Sequence, residues 1–485
     1  MEHCYNTVPL RPISQLFRGD WLRIVITDMA LTEEPVASGA ERRNLGRMLK
    51  SRLPPPIFIL LEEAGRLADR WGASAYLVGG SVRDLLLNRS DHGHLDLDLV
   101  IEGDGIAFAR AFAKSLHADV TVHPRFGTAV VTLPDGFTLD VATARTESYP
   151  HPAALPVVAP SSIQQDLHRR DVTINALAFR LNAERFGELL DVYGGHRDLH
   201  HGIIRVLHPL SFIQDPTRVF RAVRFEQRFG FRLDNKTLRL IKDAIKDKLF
   251  DCLSPARLRE ELILLLSERE PRKVIARLAK LNLLQVVHPA LRARGSSGKL
   301  DTLLKAVEKT LDWYQVASPK WGDQKNDVRP MEAWLVYFAA LLEMMPDTAV
   351  RETLKQLQFA ERHAEVLRLA RSQSDRLLQK LSRQPAKPST VHRVLFGLPD
   401  EALLLLLAKA RRKEIKHAIT AYLSEYRYVR PILTGTELKD MGLKPGPLFK
   451  KLLDRLLAAK LNGEVKTEAE ERELVRRLTA KKSLA

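Results

Sequence analysis

Apolar residues recur at helical spacing from Ile57 to Trp71, with Leu60, Leu61, Ala64, Leu67 and Ala68 on one face. The run follows Pro54-Pro55-Pro56, which predicts a helix that starts at the proline triplet. The rhythm then changes. Ala75-Tyr76-Leu77-Val78 is a continuous apolar run bounded by Gly79-Gly80, and Leu85-Leu86-Leu87 follows, so the pattern reads as a strand entering a helix through a glycine turn. A helix is predicted from Ile106 to Leu116. Ala129-Val130-Val131-Thr132-Leu133 and Phe137-Thr138-Leu139 flank Pro134-Asp135-Gly136 and are expected to form a hairpin that brings Asp140 to the same sheet. Tyr149 to Ser162 is rich in Pro, Ala and Ser with almost no charge, and reads as a mobile loop next to a site. Beyond about residue 200 helical patterns dominate, broken at Pro216, Ser254-Pro255, Pro289, Arg294 to Gly298, Pro385 to Pro388 and Pro445-Gly446-Pro447. The final stretch, Glu468 to Lys482, reads as a charged, solvated helix. Residues 1 to about 50 hold one strand-like patch, Trp21 to Ile26, and are expected to be a partly ordered appendage.

The fold class that follows is α+β, a small mixed β-sheet head followed by a long all-α region. The 485 residues, 45% of them hydrophobic, suffice for three or four packed units. Charge adds a partner to this picture: 76 Lys and Arg against 59 Asp and Glu give +17, which argues for a polyanion without separating RNA from DNA or lipid. Only Cys4 and Cys252 are present, which excludes a disulfide framework or a cysteine zinc site and points to a reducing compartment. No apolar run reaches membrane-spanning length, and a cytoplasmic location is the expectation.

Candidate chemistry centres on Asp96-Leu97-Asp98, twelve residues downstream of Gly79-Gly80-Ser81-Val82-Arg83-Asp84. Side chains repeat every two residues along a strand, so both carboxylates face one way and can share divalent cations. Backbone N–H groups at the glycine turn suit a triphosphate. Asp140 is a third carboxylate candidate, and acids converging on one face repel unless cations lie between them. A phosphate cradle beside a two-metal site is the equipment for nucleotidyl transfer, with Mg2+ the ion that suits an all-oxygen set completed by phosphates.

These motifs resemble the tRNA nucleotidyltransferase and bacterial poly(A) polymerase family, class II of the CCA-adding group within the polymerase-β nucleotidyltransferase superfamily. The resemblance runs from about Leu53 to Leu266 and more loosely through Leu433-Thr434-Gly435-Thr436-Glu437-Leu438 to Gly463 and Thr467. Glu102-Gly103-Asp104-Gly105, Asp140 to Glu147 and Asp215-Pro216-Thr217-Arg218 look most like the branch that adds the terminal A. The domains this implies are an appendage (1–50), a catalytic head (51–180), a helical neck that recognises the base (181–265), a helical body (266–384) and a tRNA-binding tail (385–485).

The resemblance assigns catalysis to Asp96, Asp98 and Asp140, with two Mg2+ ions on Asp96 and Asp98, and the triphosphate to Gly79, Gly80, Ser81 and Arg83. In Asp166-Leu167-His168-Arg169-Arg170-Asp171-Val172-Thr173-Ile174-Asn175, Asp171 and Asn175 are expected to share a helical face and hold the ribose, with Arg169 and Arg170 on phosphate. Without the family, the same run reads as an exposed, salt-bridged turn. Asp191-Val192-Tyr193-Gly194-Gly195 is a turn that in the family couples head and neck. Cytosine and adenine both present an amino donor beside an unprotonated ring nitrogen, so Asp215 accepting and Arg218 donating from one helix would take C and A and refuse U and G. Asp215-Pro216 fits a helix start equally well, and both readings can hold. The family's usual Glu-Asp-x-x-Arg is altered here by Gln214. Arg221 and Arg224 are candidate contacts to neighbouring nucleotides, while the interleaved Phe220, Phe225 and Phe229 fit a packed face better than RNA stacking. Lys409-Ala410-Arg411-Arg412-Lys413, Lys450 and Lys451 are expected to meet the tRNA body.

The function implied is addition of the 3′-terminal A of tRNA from ATP, with tRNA, ATP and possibly CTP as partners; full CCA addition and poly(A) addition remain open beside it. A helical RNA-binding protein with a degenerate head is the reading from another class. A small-molecule nucleotidyltransferase fits the long basic helical region poorly. Oligomeric state has no signature in the sequence.

Overall fold

The structure is a computed structural model that describes residues 43–89, 96–291, 298–318, 331–382 and 387–480. The expected appendage and the breaks at Arg294 to Ser297 and Pro385-Ala386 fall largely or wholly outside those residues. The chain divides into two compact units. Unit 1 comprises the described residues up to Thr146 with Ala159–Arg170 and Ile174–Arg197; unit 2 comprises Glu147–Val158, Asp171–Thr173 and the described residues from Asp198 onward.

Unit 1 is built on eight strands: β1 (Arg43–Asn44), β2 (Ser74–Val78), β3 (Leu97–Glu102), β4 (Asp119–His123), β5 (Thr128–Thr132), β6 (Thr138–Thr143), and, after a separate two-stranded ribbon of β7 (Arg145–Ser148) and β8 (Val157–Pro160), β9 (Leu177–Arg180) and β10 (Glu188–Asp191). Their order is β1-β10-β9-β2-β3-β6-β5-β4. Every neighbouring pair is antiparallel except β3 with β6, which is parallel. A parallel pair needs a crossover, and helix Gly105–Ser115, β4 and β5 lie between the two strands in the chain. That helix starts one residue before the predicted position because Asp104 caps it, accepting from the Ala107 N–H at 2.9 Å.

The helix after the proline triplet spans Pro55–Arg70 and buries Leu60, Leu61, Ala64, Gly65, Leu67 and Ala68. Gly65 allows the closest backbone approach: a Cβ there would fall 1.8 Å from the Leu181 carbonyl oxygen. The hairpin of β5 and β6 forms as expected. Part of the segment read as a mobile loop is instead strand β8, since Val157-Val158 gives β-branched residues to the ribbon between prolines.

Apart from the ribbon residues within Glu147–Val158 and two short strands, Ile203–Ile204 and Arg232–Leu233, the described part of unit 2 is mainly helical. Helix Thr217–Phe229 buries Val219, Phe220, Ala222, Val223, Phe225 and Phe229, so the phenylalanines form a core face. Helix Ala333–Leu342 is buried on all sides, and helix Asp400–Lys409 packs against helices Gly298–Ala317 and Glu361–Ser382. Lys409 is not a surface cation: its ammonium donates to Glu343 at 2.6 Å and lies 2.9 Å from Asp375, which corrects its expected role in tRNA contact. Near the C-terminus Leu433, Leu438, Leu452, Leu456, Ala459, Val465, Leu474 and Val475 form a separate core cluster. The charged helix Glu468–Ala480 is therefore solvated on one face only. Its Glu471 is fully buried and accepts from the Ile432 and Leu433 N–H groups at 2.9 Å. Among the described residues no helix is long and apolar enough to cross a membrane.

Candidate active site

Val78, the last residue of β2, pairs with Asp98 on β3, and Asp98 pairs with Asp140 on β6. Register partners share a face, so Asp98 and Asp140 point the same way from adjacent parallel strands, with Asp96 just ahead of β3. Their mutual influence is electrostatic. Burial, then the charges of Asp140, Asp96 and Asp166, push the Asp98 carboxyl up to about 6, although Arg170 pulls it down. Burial and Asp96 also raise Asp140, against a lowering by His123. Acids forced together in this way are ready to exchange a proton for a cation. The donors are all hard carboxylate oxygens. Among the described residues no three His, Cys, Asp or Glu side chains are grouped as a metal cage.

The glycine turn lies against these acids. Gly79 has φ +76°, a backbone conformation that favours glycine, and a Cβ there would stand 2.8 Å from Arg170 Nη1 and 3.4 Å from Asp98 Oδ2. Helix Gly80–Leu86 follows directly. Ser81 and Arg83 are buried rather than presented: the Ser81 hydroxyl donates to the Val78 carbonyl at 3.1 Å, and Arg83 donates to both Asp84 oxygens and, at 2.6 Å, to Asn175 Oδ1. Arg83 therefore ties the turn to Asn175.

Asp166 is a buried acid of the site region that the sequence reading did not single out. It is fully buried and receives Arg169 at 2.7 Å and Arg170 at 3.1 Å. Burial alone would raise its pKa, but Arg170 and Arg169 outweigh that and hold it below the ordinary carboxylate value. The i, i+3 and i, i+4 spacing was the available signal, yet the acid of this turn is buried and its two arginines are half-buried rather than exposed. Arg170 consequently stands between Asp166 and the Asp98 carboxylate.

Asp171 and Asn175 do not share a helical face. Helix Ile163–His168 ends before them, Asp171 belongs to unit 2, and Asn175 closes a short 3-10 turn in unit 1. In unit 2 the Asp171 carboxylate accepts from Arg221 at 2.7 Å and from the Val172 N–H at 2.8 Å. Asp191, by contrast, caps helix Gly195–His201, accepting from the Gly195 and His196 N–H groups, with Gly194 at φ +73° in the turn.

Asp215 and Arg218 are both in unit 2 but on different elements, which corrects the single helix expected. Asp215 follows helix Ser211–Gln214, and helix Thr217–Phe229 begins after Pro216. The Asp215 Oδ1 accepts from the Thr217 N–H at 3.0 Å and hydroxyl at 2.7 Å, so the carboxylate does cap the helix start. Arg218 donates to Ser211 Oγ at 3.1 Å and to the Tyr149 hydroxyl at 3.3 Å. Tyr149, raised to about 12 by burial, keeps its proton and donates it to Glu147 at 2.8 Å. Arg221 and Arg224 both lie over the Phe225 ring, at 5.7 and 5.6 Å. Burial lowers the Arg224 pKa, while its neighbour Glu261 is raised by burial. Arg257, absent from the sequence reading, donates to Asp215 Oδ2 at 2.8 Å.

Residues 75–205 match the family model described as "Poly A polymerase head domain", and residues 230–294 match "Probable RNA and SrmB- binding site of polymerase A". The chain is 40% identical over 479 residues to an A-adding tRNA nucleotidyltransferase of Geobacter sulfurreducens, covering 96% of this chain but only 53% of that relative. To an A-adding tRNA nucleotidyltransferase of Halalkalibacterium halodurans it is 34% identical over 398 residues, covering 81% of this chain and 86% of the relative. The solved CCA-adding enzyme of Thermotoga maritima, in complex with tRNA, superposes with a TM-score of 0.72 at 30% identity, over 90% of this chain and 99% of that one. Nucleotidyltransferases of this kind generally work with divalent metal ions. With 34% identity to a relative over 81% of this chain and 86% of that relative, the chain belongs to the tRNA nucleotidyltransferase family.

Proposed function

We propose that this protein adds the terminal A to the 3′ end of a tRNA that ends in CC, using ATP. The observation that carries the reading is the register pairing of Asp98 with Asp140, with Asp98 driven up to about 6 by burial and by neighbouring acids. Asp96 and Asp98 are the residues that would hold two Mg2+ ions, with Asp140 beside them. When bound, the cations supply a more acidic 3′-hydroxyl and neutralise charge on the triphosphate and leaving pyrophosphate. Arg170, set against Gly79 and Asp98, contributes a fixed positive charge to the same reaction. The Gly79 N–H is already donated to the Leu177 carbonyl at 3.2 Å, which leaves the Gly80 N–H as the backbone donor for phosphate, while Arg83 and Asn175 stiffen the turn and Arg169 supports Asp166. In unit 2, Asp215 accepts from the adenine amino group and Arg218 donates to its ring nitrogen. Asp171 with Arg221, and Arg224 beside Phe225, are the candidate contacts to ribose and to the neighbouring nucleotide.

The exposed cations Arg411, Arg412, Lys413, Lys450 and Lys451 remain candidates for the tRNA body. A cytoplasmic location goes with this substrate. Addition of C as well as A is the second reading, favoured by one observation: an acceptor beside a donor suits the cytosine edge as well as the adenine edge.

Extension of transcripts ending before the first C, after the second C, or of an unrelated RNA, each with ATP or CTP alone, separates these activities. ATP added once to the CC-ended tRNA is the expected result; no extension of it would remove the reading. Asp98→Ala is expected to reduce incorporation by at least about 1,000-fold, while tRNA binding by filter retention stays within about threefold.

A further inference from the structure

We propose that Arg257 is a specificity-determining positioning residue, which fixes the Asp215 carboxylate in the orientation that reads an amino group on the incoming base. The inference rests on the base-reading role of Asp215. Asp215 Oδ1 is saturated by the Thr217 N–H and hydroxyl, so the oxygen with capacity to spare is Oδ2. Arg257 Nη2 donates to that oxygen at 2.8 Å, leaving one lone pair directed elsewhere.

Arg257 is itself held. Its Nη1 donates to the Ala153 carbonyl at 3.2 Å, and the Ala153 N–H donates back to the Gln214 carbonyl at 3.2 Å. Ala153 has φ +60°, so this short segment turns sharply to reach both groups. Helix Pro255–Leu266, capped by Ser254, carries Arg257 in its first turn. The acid that accepts from the base is thus clamped through both oxygens by groups from two different helices. A carboxylate with one free lone pair at a set angle discriminates by direction, whereas one free to rotate about its Cβ–Cγ bond can also accept from water or a mismatched donor.

ATP and purine riboside 5′-triphosphate differ in the amino group, and both keep the ring nitrogen that Arg218 would meet. The full-length chain, with CC-ended tRNA, is assayed for kcat/KM with each nucleotide. Wild-type protein is expected to prefer ATP by at least about 30-fold. In Arg257→Ala that ratio falls by about 10-fold or more, and Arg257→Lys, which keeps one donor, lies between. General damage to folding or to catalysis slows both nucleotides alike and leaves the ratio unmoved. An unchanged ratio in Arg257→Ala overturns the role of Arg257; a wild-type ratio near one overturns the base reading by Asp215 instead.

Discussion

At the scale of single residues, Asp98 is where electrostatics and chemistry meet. Its folded pKa, about 6, lies above the ordinary 3.8, so the folded chain takes up this proton at a higher pH than the unfolded chain does. Stability therefore rises as pH falls from about 6 toward about 4, and above that window the ionised group costs the fold about 1 to 3 kcal/mol. Without metal, Asp98→Asn should be more stable than wild type by that amount at pH 7.5, with the gain fading toward pH 4, as read by denaturant titration. Mg2+ should stabilise the wild type and leave the variant unmoved; equal stabilisation of both would place the cation elsewhere. Arg170 belongs to the same balance. Replacing it by Ala removes the charge that lowers Asp98 and leaves Asp166 facing Arg169 alone, so the Asp98 titration followed by NMR should move upward.

Elements are held by contacts that tolerate little change. Helix Pro55–Arg70 can approach the chain at Leu181 only because Gly65 has no side chain; a Cβ would sit 1.8 Å from a backbone oxygen that has no rotamer to change. Gly65→Ala should cost at least about 3 kcal/mol or abolish soluble expression, and a melting temperature within a degree of wild type would contradict the packing described. In the C-terminal cluster, Glu471 satisfies two backbone donors inside an apolar shell and has Lys460 3.6 Å away. Glu471→Ala strands those donors, at about 2 to 4 kcal/mol. Hydrogen exchange should report faster opening of Leu433, Leu456 and Val475, with helix Pro55–Arg70 keeping its protection.

For the whole molecule the formal charge of +17 matters through the partner it selects. Exposed Arg and Lys side chains that neutralise RNA phosphates release counterions, so binding weakens steeply with salt. Affinity for tRNA is expected to fall at least about 100-fold between 50 and 200 mM salt, measured by fluorescence anisotropy; a change under about threefold would show that phosphate contacts are few. Lys409 contributes nothing to that slope, because its charge is matched internally by Glu343 and Asp375.

Local sequence was enough to determine the strand, the glycine turn and the helix around Gly79, and the hairpin leading to Asp140. Each of these follows from steric periods of two or 3.6 residues and from glycine's freedom at positive φ, properties that neighbours in the chain set among themselves. Tertiary structure alone decided that β6 lies parallel to β3, which aligns Asp140 with Asp98 across a crossover. It also kept Asp171 and Asn175 off any shared helix, paired Asp171 with Arg221, gave Asp215 to Arg257, and turned Lys409 inward. Those choices depend on which elements pack together. A long charged side chain takes whichever opposite charge the packing places within reach, and residues far apart in the chain carry no local mark of that pairing.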